Sequence, residues 1–273
     1  FLTTNNEILL QQNEFENDNI LVLINLSGGN DGLNTIISLE NYDNLANLRT
    51  KIIIPEKKIL KISDNLGFHP SLDGFQSLYN DKKISIIHNV GYPNQNRSHF
   101  RSADIWNSGS PSNEVWSSGW LGRFFENKYI DYPIGFPNEI NPDPIAISFG
   151  NSVAENCQGT RTNFSFALEN PAQLIDLNEF NYTKKDEISD SINFIYDTIR
   201  QSNAYTKVLL RALNKGKSKA NYDDKNKLAQ QLKIVTKLIS GGLKTKLFVL
   251  TLDGFDTHAN QVIENDSTNG IHA

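Results

Sequence analysis

The densest collection of potential ligand atoms lies in Asp253-Gly254-Phe255-Asp256-Thr257-His258, where a carboxylate and an imidazole stand two residues apart. Asp256 and His258 pair one hard oxygen with one borderline nitrogen, a combination that suits a divalent cation such as Zn²⁺, Mn²⁺ or Mg²⁺. An Asx-turn followed by a surface histidine would read the same way. What raises the pair above that reading is its position, directly behind the apolar run 246–252 (KLFVLTL). A second cluster, Asn96-Arg97-Ser98-His99-Phe100-Arg101, packs a hydroxyl, an imidazole and two guanidiniums into six residues. Serine is a weak nucleophile until a base or a metal activates it, and arginines beside it hold anionic groups by paired hydrogen bonds. The competing reading is a helix start, with Ser98 as its cap and Arg97 and Arg101 solvated. A third stretch, SGGNDGLNT, follows the aliphatic run 20–26 and carries Asn30 and Asp31 among Gly28, Gly29 and Gly32. It reads as a tight turn or as a ligand loop.

Other reactive types have plainer readings. His69 precedes Pro70 at a helix start and His88 lies within an apolar run, so both read as satisfied core or capping residues. Trp106, Trp116 and Trp120 flank serine- and glycine-rich turns and read as packing for a lid or an edge.

The elements that must position these groups follow from hydrophobic pattern. Strands are expected at 20–26, 84–90, 145–149 and 246–252, each a short continuous apolar run bounded by turn residues. Helical spacing marks 38–48 (capped by Ser38), 71–79, 120–127, 189–213 and 223–240, the last ended by Gly241-Gly242. Continuous apolar strands alternating with helices predict an α/β fold, mainly a parallel sheet flanked by helices on both faces. Residues 1–19 read as an N-terminal arm and 20–273 as one α/β domain, with a polar, irregular insertion near 151–185. In open α/β sheets ligands bind beyond the carboxyl ends of the strands. The segments after the four expected strands are SGGNDGLNT, GYPNQNRSHFRSADIW, GNSVAENCQGTRTNF and DGFDTHANQ, and they hold almost every unusual polar cluster in the chain.

Composition narrows the function classes. The chain has 273 residues, 38% hydrophobic and 21% charged, with a net charge of −5, which gives nucleic acid or an anionic membrane no reason to bind. No apolar run approaches the roughly 18 residues of a membrane span. Cys157 is the single cysteine, which excludes an intrachain disulfide. Phe1 in place of Met, with no Met anywhere, reads as a processed or trimmed start.

Taken together, GGNDGLNT, HNVGYPNQNRSHFRSADIW, SSGWLGRF and LDGFDTHANQ resemble the domain-of-unknown-function 1501 family of exported bacterial proteins, over about residues 20–130 and 245–273. That family is similar to the alkaline phosphatase and sulfatase superfamily. The resemblance implies an alkaline-phosphatase-like α/β fold, export to the periplasm, cell surface or outside, and a divalent metal (Zn, Mn, Mg or Ca). It assigns Asp31, Asp256 and His258 to metal and Ser98 to the nucleophile position; Arg97 and His99 are read with Ser98 as catalytic residues, and Arg101 and Asn30 as substrate-binding. Related sequences run on past the equivalent of Ala273 with further ligands, so by this resemblance the chain reads as truncated at its C-terminus and the site as incomplete. The function it implies is metal-dependent hydrolysis of phosphate or sulfate esters, on a small anionic ester or a polysaccharide-type substrate. Two other readings stay open: a non-catalytic binding or scaffold protein, and a metal-free serine esterase using Ser98, His258 and Asp256.

Overall fold

The computed structural model describes residues 19–171, 174, 190–259, 261–263 and 266–268. Along the chain come β1 (Leu21–Leu26), the single-turn α1 (Gly32–Thr35), β2 (Ile36–Ser38), α2 (Tyr42–Leu48), β3 (Leu60–Lys61), β4 (Leu66–Phe68) and α3 (Asp73–Asn80). They are followed by α4 (His99–Ser108), α5 (Trp120–Lys128), β5 (Ala146–Phe149), β6 (Ser165–Leu168), α6 (Asp190–Lys215), α7 (Lys227–Ser240) and β7 (Leu247–Leu252).

The central sheet has the order β1-β7-β5-β6, and every pair in it is parallel. The chain is therefore α/β, with a four-stranded parallel sheet flanked by helices. Side chains alternate across a strand, so β7 divides its aliphatics between two cores. Phe248 and Leu250 join Ile147, Phe149, Leu209 and Ala212 of α6, and Val235 and Leu238 of α7. Leu247 and Val249 join Ala146, Leu121 and Phe125 of α5, Cys157 and Phe164 on the other side. Being covered on both faces is why β7 reads as an unbroken apolar run rather than an alternating one. Each fully buried side chain of this size contributes about 1.5–3 kcal/mol of transfer free energy. Burial also pushes the Cys157 thiol up to about 12, which leaves it un-ionised and unreactive.

The sequence pattern is corrected in several places. A second, antiparallel sheet of order β2-β4-β3 closes over Ile37, Ile54 and Ile59. Ser38 ends β2 instead of capping a helix, and its Oγ accepts from the backbone N–H of Asn41, which precedes α2. Residues 84–90 form no strand. Ile84 and Ile86 line a groove beside β1, while Ile87 and Val90 are 81% and 69% exposed, and His88 is exposed as well. An apolar run signals a need for burial without naming a backbone partner, and among the described residues β1 is paired on one side only, to β7. The expected irregular insertion is structured where it is described. It contains a 3₁₀ turn at Glu155–Cys157 and the strand β6, which pairs with β5. The rest of that segment, like residues 1–18 of the expected arm, lies outside the described residues. No described helix is long and apolar enough to cross a membrane.

The double core makes a direct prediction about stability. Phe248→Ala removes a ring with no exposed surface from the central strand and should cost about 3–5 kcal/mol. Leu48→Ala, at a site 84% exposed, should stay within about 0.5 kcal/mol, with both values read from urea midpoints.

Candidate metal centre

Strand register builds the site. Leu26 of β1 is paired with Leu252 of β7, so the two strands end level and their loops leave the sheet side by side. The loops are then laced together: Ser27 N–H donates to the Leu252 carbonyl (2.9 Å) and Phe255 N–H donates to the Ser27 carbonyl (3.2 Å). Close lacing leaves no room for a side chain between them. A Cβ on Gly28 would lie 2.5 Å from the Asp256 nitrogen and 2.9 Å from the Asp256 Cβ, and its φ of +107° already favours glycine. A Cβ on Gly29 would lie 3.0 Å from Cε1 of His99. The glycine pair thus admits two separate segments of chain to one point.

His99 reaches that point as the first residue of α4. Ser98 caps this helix, its Oγ accepting from Arg101 N–H at 3.5 Å, and Asn96 Oδ1 accepts from Ser98 N–H at 2.8 Å. Tyr92 holds the approach. Its hydroxyl accepts from Asn96 N–H (3.2 Å) and lies 3.0 Å from Ser102 Oγ. The outcome is a three-residue cluster on one carboxylate oxygen. His99 Nε2 and His258 Nδ1 each lie 3.1 Å from Asp256 Oδ1. The two rings meet edge to face, 5.6 Å apart. One ligand atom from each of the three residues falls within a 4.8 Å span. Ligand atoms arranged tetrahedrally at zinc distances sit roughly 3.3–3.6 Å from one another, so the two 3.1 Å approaches to Asp256 suit a single ion and the two imidazole nitrogens would close toward that spacing around it. The cluster is open to solvent, with the side chains of His99, Asp256 and His258 exposed by 42%, 44% and 81%. Three protein ligands with an open side resemble a catalytic metal site more than a closed structural one.

The other expected site residues are placed differently. Asp31 shares the first loop, but its carboxylate is turned to Arg49 (2.5 Å) and also accepts from Gln261 Nε2, and only a tenth of it is exposed. It is not among the clustered ligand atoms. Asn30 and the Thr35 hydroxyl exchange hydrogen bonds within the first loop (3.0 and 3.2 Å). Arg101 clamps the following loop: Nη2 donates to Ser110 Oγ, to the carbonyls of Pro111 and Ser112, and to that of Glu114. Arg97 is exposed and free of ion pairs among the described residues. The loop after β5 folds back, with Ser148 Oγ donating to the Ser152 carbonyl (2.9 Å). His69 is buried, and its Nδ1 accepts from Ser71 N–H, as a capping histidine should.

Two functional features were missed from sequence. His99, expected as a catalytic residue beside Ser98, stands instead with Asp256 and His258 among the possible metal donors, and Tyr92 fixes the turn that delivers it. The Asn-Arg-Ser-His stretch carried a signal for the first, since a histidine just inside a capped helix is aimed by that cap.

No family model matches the chain, and neither a curated protein nor a solved structure matches it. The resemblance therefore rests on its quoted motifs, and the site on its own geometry.

Backbone contact at Gly28 is the tightest constraint here. Gly28→Ala should lose about 1–3 kcal/mol of stability to strain and shift the ¹H–¹⁵N resonances of the His99 and His258 rings. Gly32→Ala, where a Cβ meets nothing within 4 Å, should do neither.

Proposed function

We propose that this chain is a metal-dependent hydrolase of phosphate or sulfate esters, built on an alkaline-phosphatase-like version of its α/β fold and working outside the cytoplasm. One observation carries the reading: His99 Nε2, Asp256 Oδ1 and His258 Nδ1 converge at the carboxyl edge of a parallel sheet, where such folds bind ligands. Two imidazoles with one carboxylate favour Zn²⁺ or a similar transition metal over Mg²⁺ and Ca²⁺, which prefer all-oxygen sites. A divalent ion held by these three residues supplies Lewis-acid polarisation of a phosphoryl or sulfuryl oxygen.

The chain's own groups account for the rest. Asp256 gathers both imidazoles about one carboxylate oxygen, His99 through Nε2 and His258 through Nδ1, so the three donor atoms already face one point. The amino end of α4, with its unpaired N–H groups, receives an anionic ester oxygen next to His99. Ser98 at that end is the nucleophile of the reading. To attack, its hydroxyl must exchange the long 3.5 Å cap bond for the ester, a small loss because that bond is already weak. Exposed Arg97 is free to meet the charge of the substrate. Asp31, held by Arg49 and Gln261, stands outside the three residues that would hold the ion.

The esterase alternative needs a hydroxyl against an imidazole. Among the described residues Ser98 Oγ instead accepts from Arg101 N–H and has no hydrogen bond to either imidazole.

Calorimetric titration with Zn²⁺ should give one ion per chain, with affinity lowered at least tenfold in His258→Ala and Asp256→Ala, consistent with loss of a ligand. Hydrolysis of p-nitrophenyl phosphate or p-nitrophenyl sulfate should then follow metal loading and vanish on chelation. A chain that binds no divalent ion, or whose hydrolysis survives chelation, overturns the proposal.

A further inference from the structure

A second site lies at the other end of α4. A cleft of about 300 Å³ opens between the carboxyl-terminal half of that helix, the 115–119 loop and the turn at Glu155–Cys157. None of His99, Asp256 or His258 lines it. Its volume falls at the lower end of small-ligand pockets, which run from about 300 to 1,000 Å³.

The cleft is built around one aromatic ring. Trp116 lines it with the side chain 40% exposed, and the indole is held from two directions. Arg123 stacks 4.9 Å from the ring centroid, and Nε1–H donates to Glu114 Oε2 at 2.8 Å. Arg123 is itself immobilised, donating to the carbonyls of Ser118 and Ser108, both at 2.7 Å. A loop tryptophan fixed so thoroughly yet left open is a pre-ordered platform, and it loses little freedom when a ligand covers it.

Around the platform stand acceptors and amides. Asn107 Nδ2 donates to Glu155 Oε2 at 2.8 Å, which leaves Glu155 Oε1 and Asn107 Oδ1 for a ligand. The carboxylate of Asp104 is 58% exposed, with only a distant 3.9 Å approach to Arg101. Charge and chemistry then select the ligand class. Two carboxylates without a lysine or arginine in the lining oppose an anion. A cation is opposed too, because the Arg123 guanidinium already draws on the π-system of Trp116. What remains is a neutral molecule with an apolar face for the indole and several hydroxyls for the carboxylates and amides. We infer that the Trp116–Asn107–Glu155 cleft binds a neutral saccharide, one sugar ring lying on Trp116. The site is separate from the metal centre and does not depend on it.

Tryptophan fluorescence and calorimetry with maltotriose, cellotriose, chitotriose and xylotriose test this, using the full chain with EDTA present. At least one sugar should bind saturably with a Kd of about 1 mM or tighter. Trp116→Ala should weaken it at least tenfold, Trp116→Phe should retain most of it, and His258→Ala should leave it unchanged. Asn107→Ala, a change on a half-buried helical position, should weaken it severalfold and serves as the decisive variant if Trp116→Ala fails to fold by circular dichroism. The proposal falls if no sugar binds at about 10 mM, ten times a weak Kd. It also falls if binding is the same in both cleft variants, or if choline binds there in preference to every sugar. Because the sugar titrations need no metal, failure of the metal reading leaves their outcome intact, and the reverse holds as well.

Discussion

Everything at the candidate centre depends on the parallel pairing of β1 with β7, whose register sets Leu26 level with Leu252. Ending together, the two strands deliver their loops to one place, and the Ser27–Leu252 and Phe255–Ser27 hydrogen bonds draw them to backbone contact. From that contact follow the glycine at 28, the location of the Asp256 backbone, and the direction in which its carboxylate leaves. A slip of one residue in a strand turns every side chain to the opposite face and exchanges the residues of the two cores. Phe248 and Leu250 on one side, with Leu247 and Val249 on the other, hold the register against that slip. Hydrophobic burial on both faces of β7 is in this sense what aims Asp256.

The two carboxylates of these neighbouring loops are used in opposite ways. Asp31 is largely shielded, paired with Arg49 at the carboxyl end of α2, and bonded to Gln261. A shielded pair of this kind is expensive to break from one side, since the remaining charge is left without a partner. It ties the first loop to α2. Asp256 is nearly half exposed and bears two histidines, and open ion pairs of that sort add little to stability. The fold does not need the His99–Asp256–His258 cluster to stand, yet two segments from distant parts of the chain, the start of α4 and the loop after β7, converge to form it. Residues that do little for stability but are placed by two segments at once are where chemistry is to be sought.

How much of this could be read from sequence depends on the range of the interactions involved. β7 and the apolar strand at 146–149 were legible because continuous burial on both faces writes itself into consecutive residues, and β1, only partly buried, because its aliphatic run is just as unbroken up to Asn25. Asp256 and His258 were legible because they are two residues apart behind such a strand. The role of Arg101 was not: its side chain is consumed by groups nine to thirteen residues further on, and no local pattern encodes that. Asp31 misleads for the same reason, its partners standing 18 and 230 residues away. The run at 84–90 has the composition of a buried strand, but composition fixes neither partner nor register, and in the structure only Ile84 and Ile86 find cover. The second sheet was hidden because its strands are two or three residues long, too short to show a period.

The groove beside β1 is not the place to expect the chemistry. It encloses about 610 Å³ and is lined mainly by aliphatic and aromatic side chains, Ile24, Leu26, Phe75 and Ile86 among them. Its one carboxylate, Asp31, is already neutralised by Arg49, so a polar ligand entering there would lose water and gain little in return. The groove has a structural explanation instead. β1 is an edge strand of aliphatics without the charge, proline or bulge that usually blunts such an edge. Ile84 and Ile86, half-buried, line the same groove, and β1 has no second strand partner among the described residues. The polar cluster at the loop ends faces open water. Volume belongs to the edge that must be covered, and reactivity to the edge where the strands end.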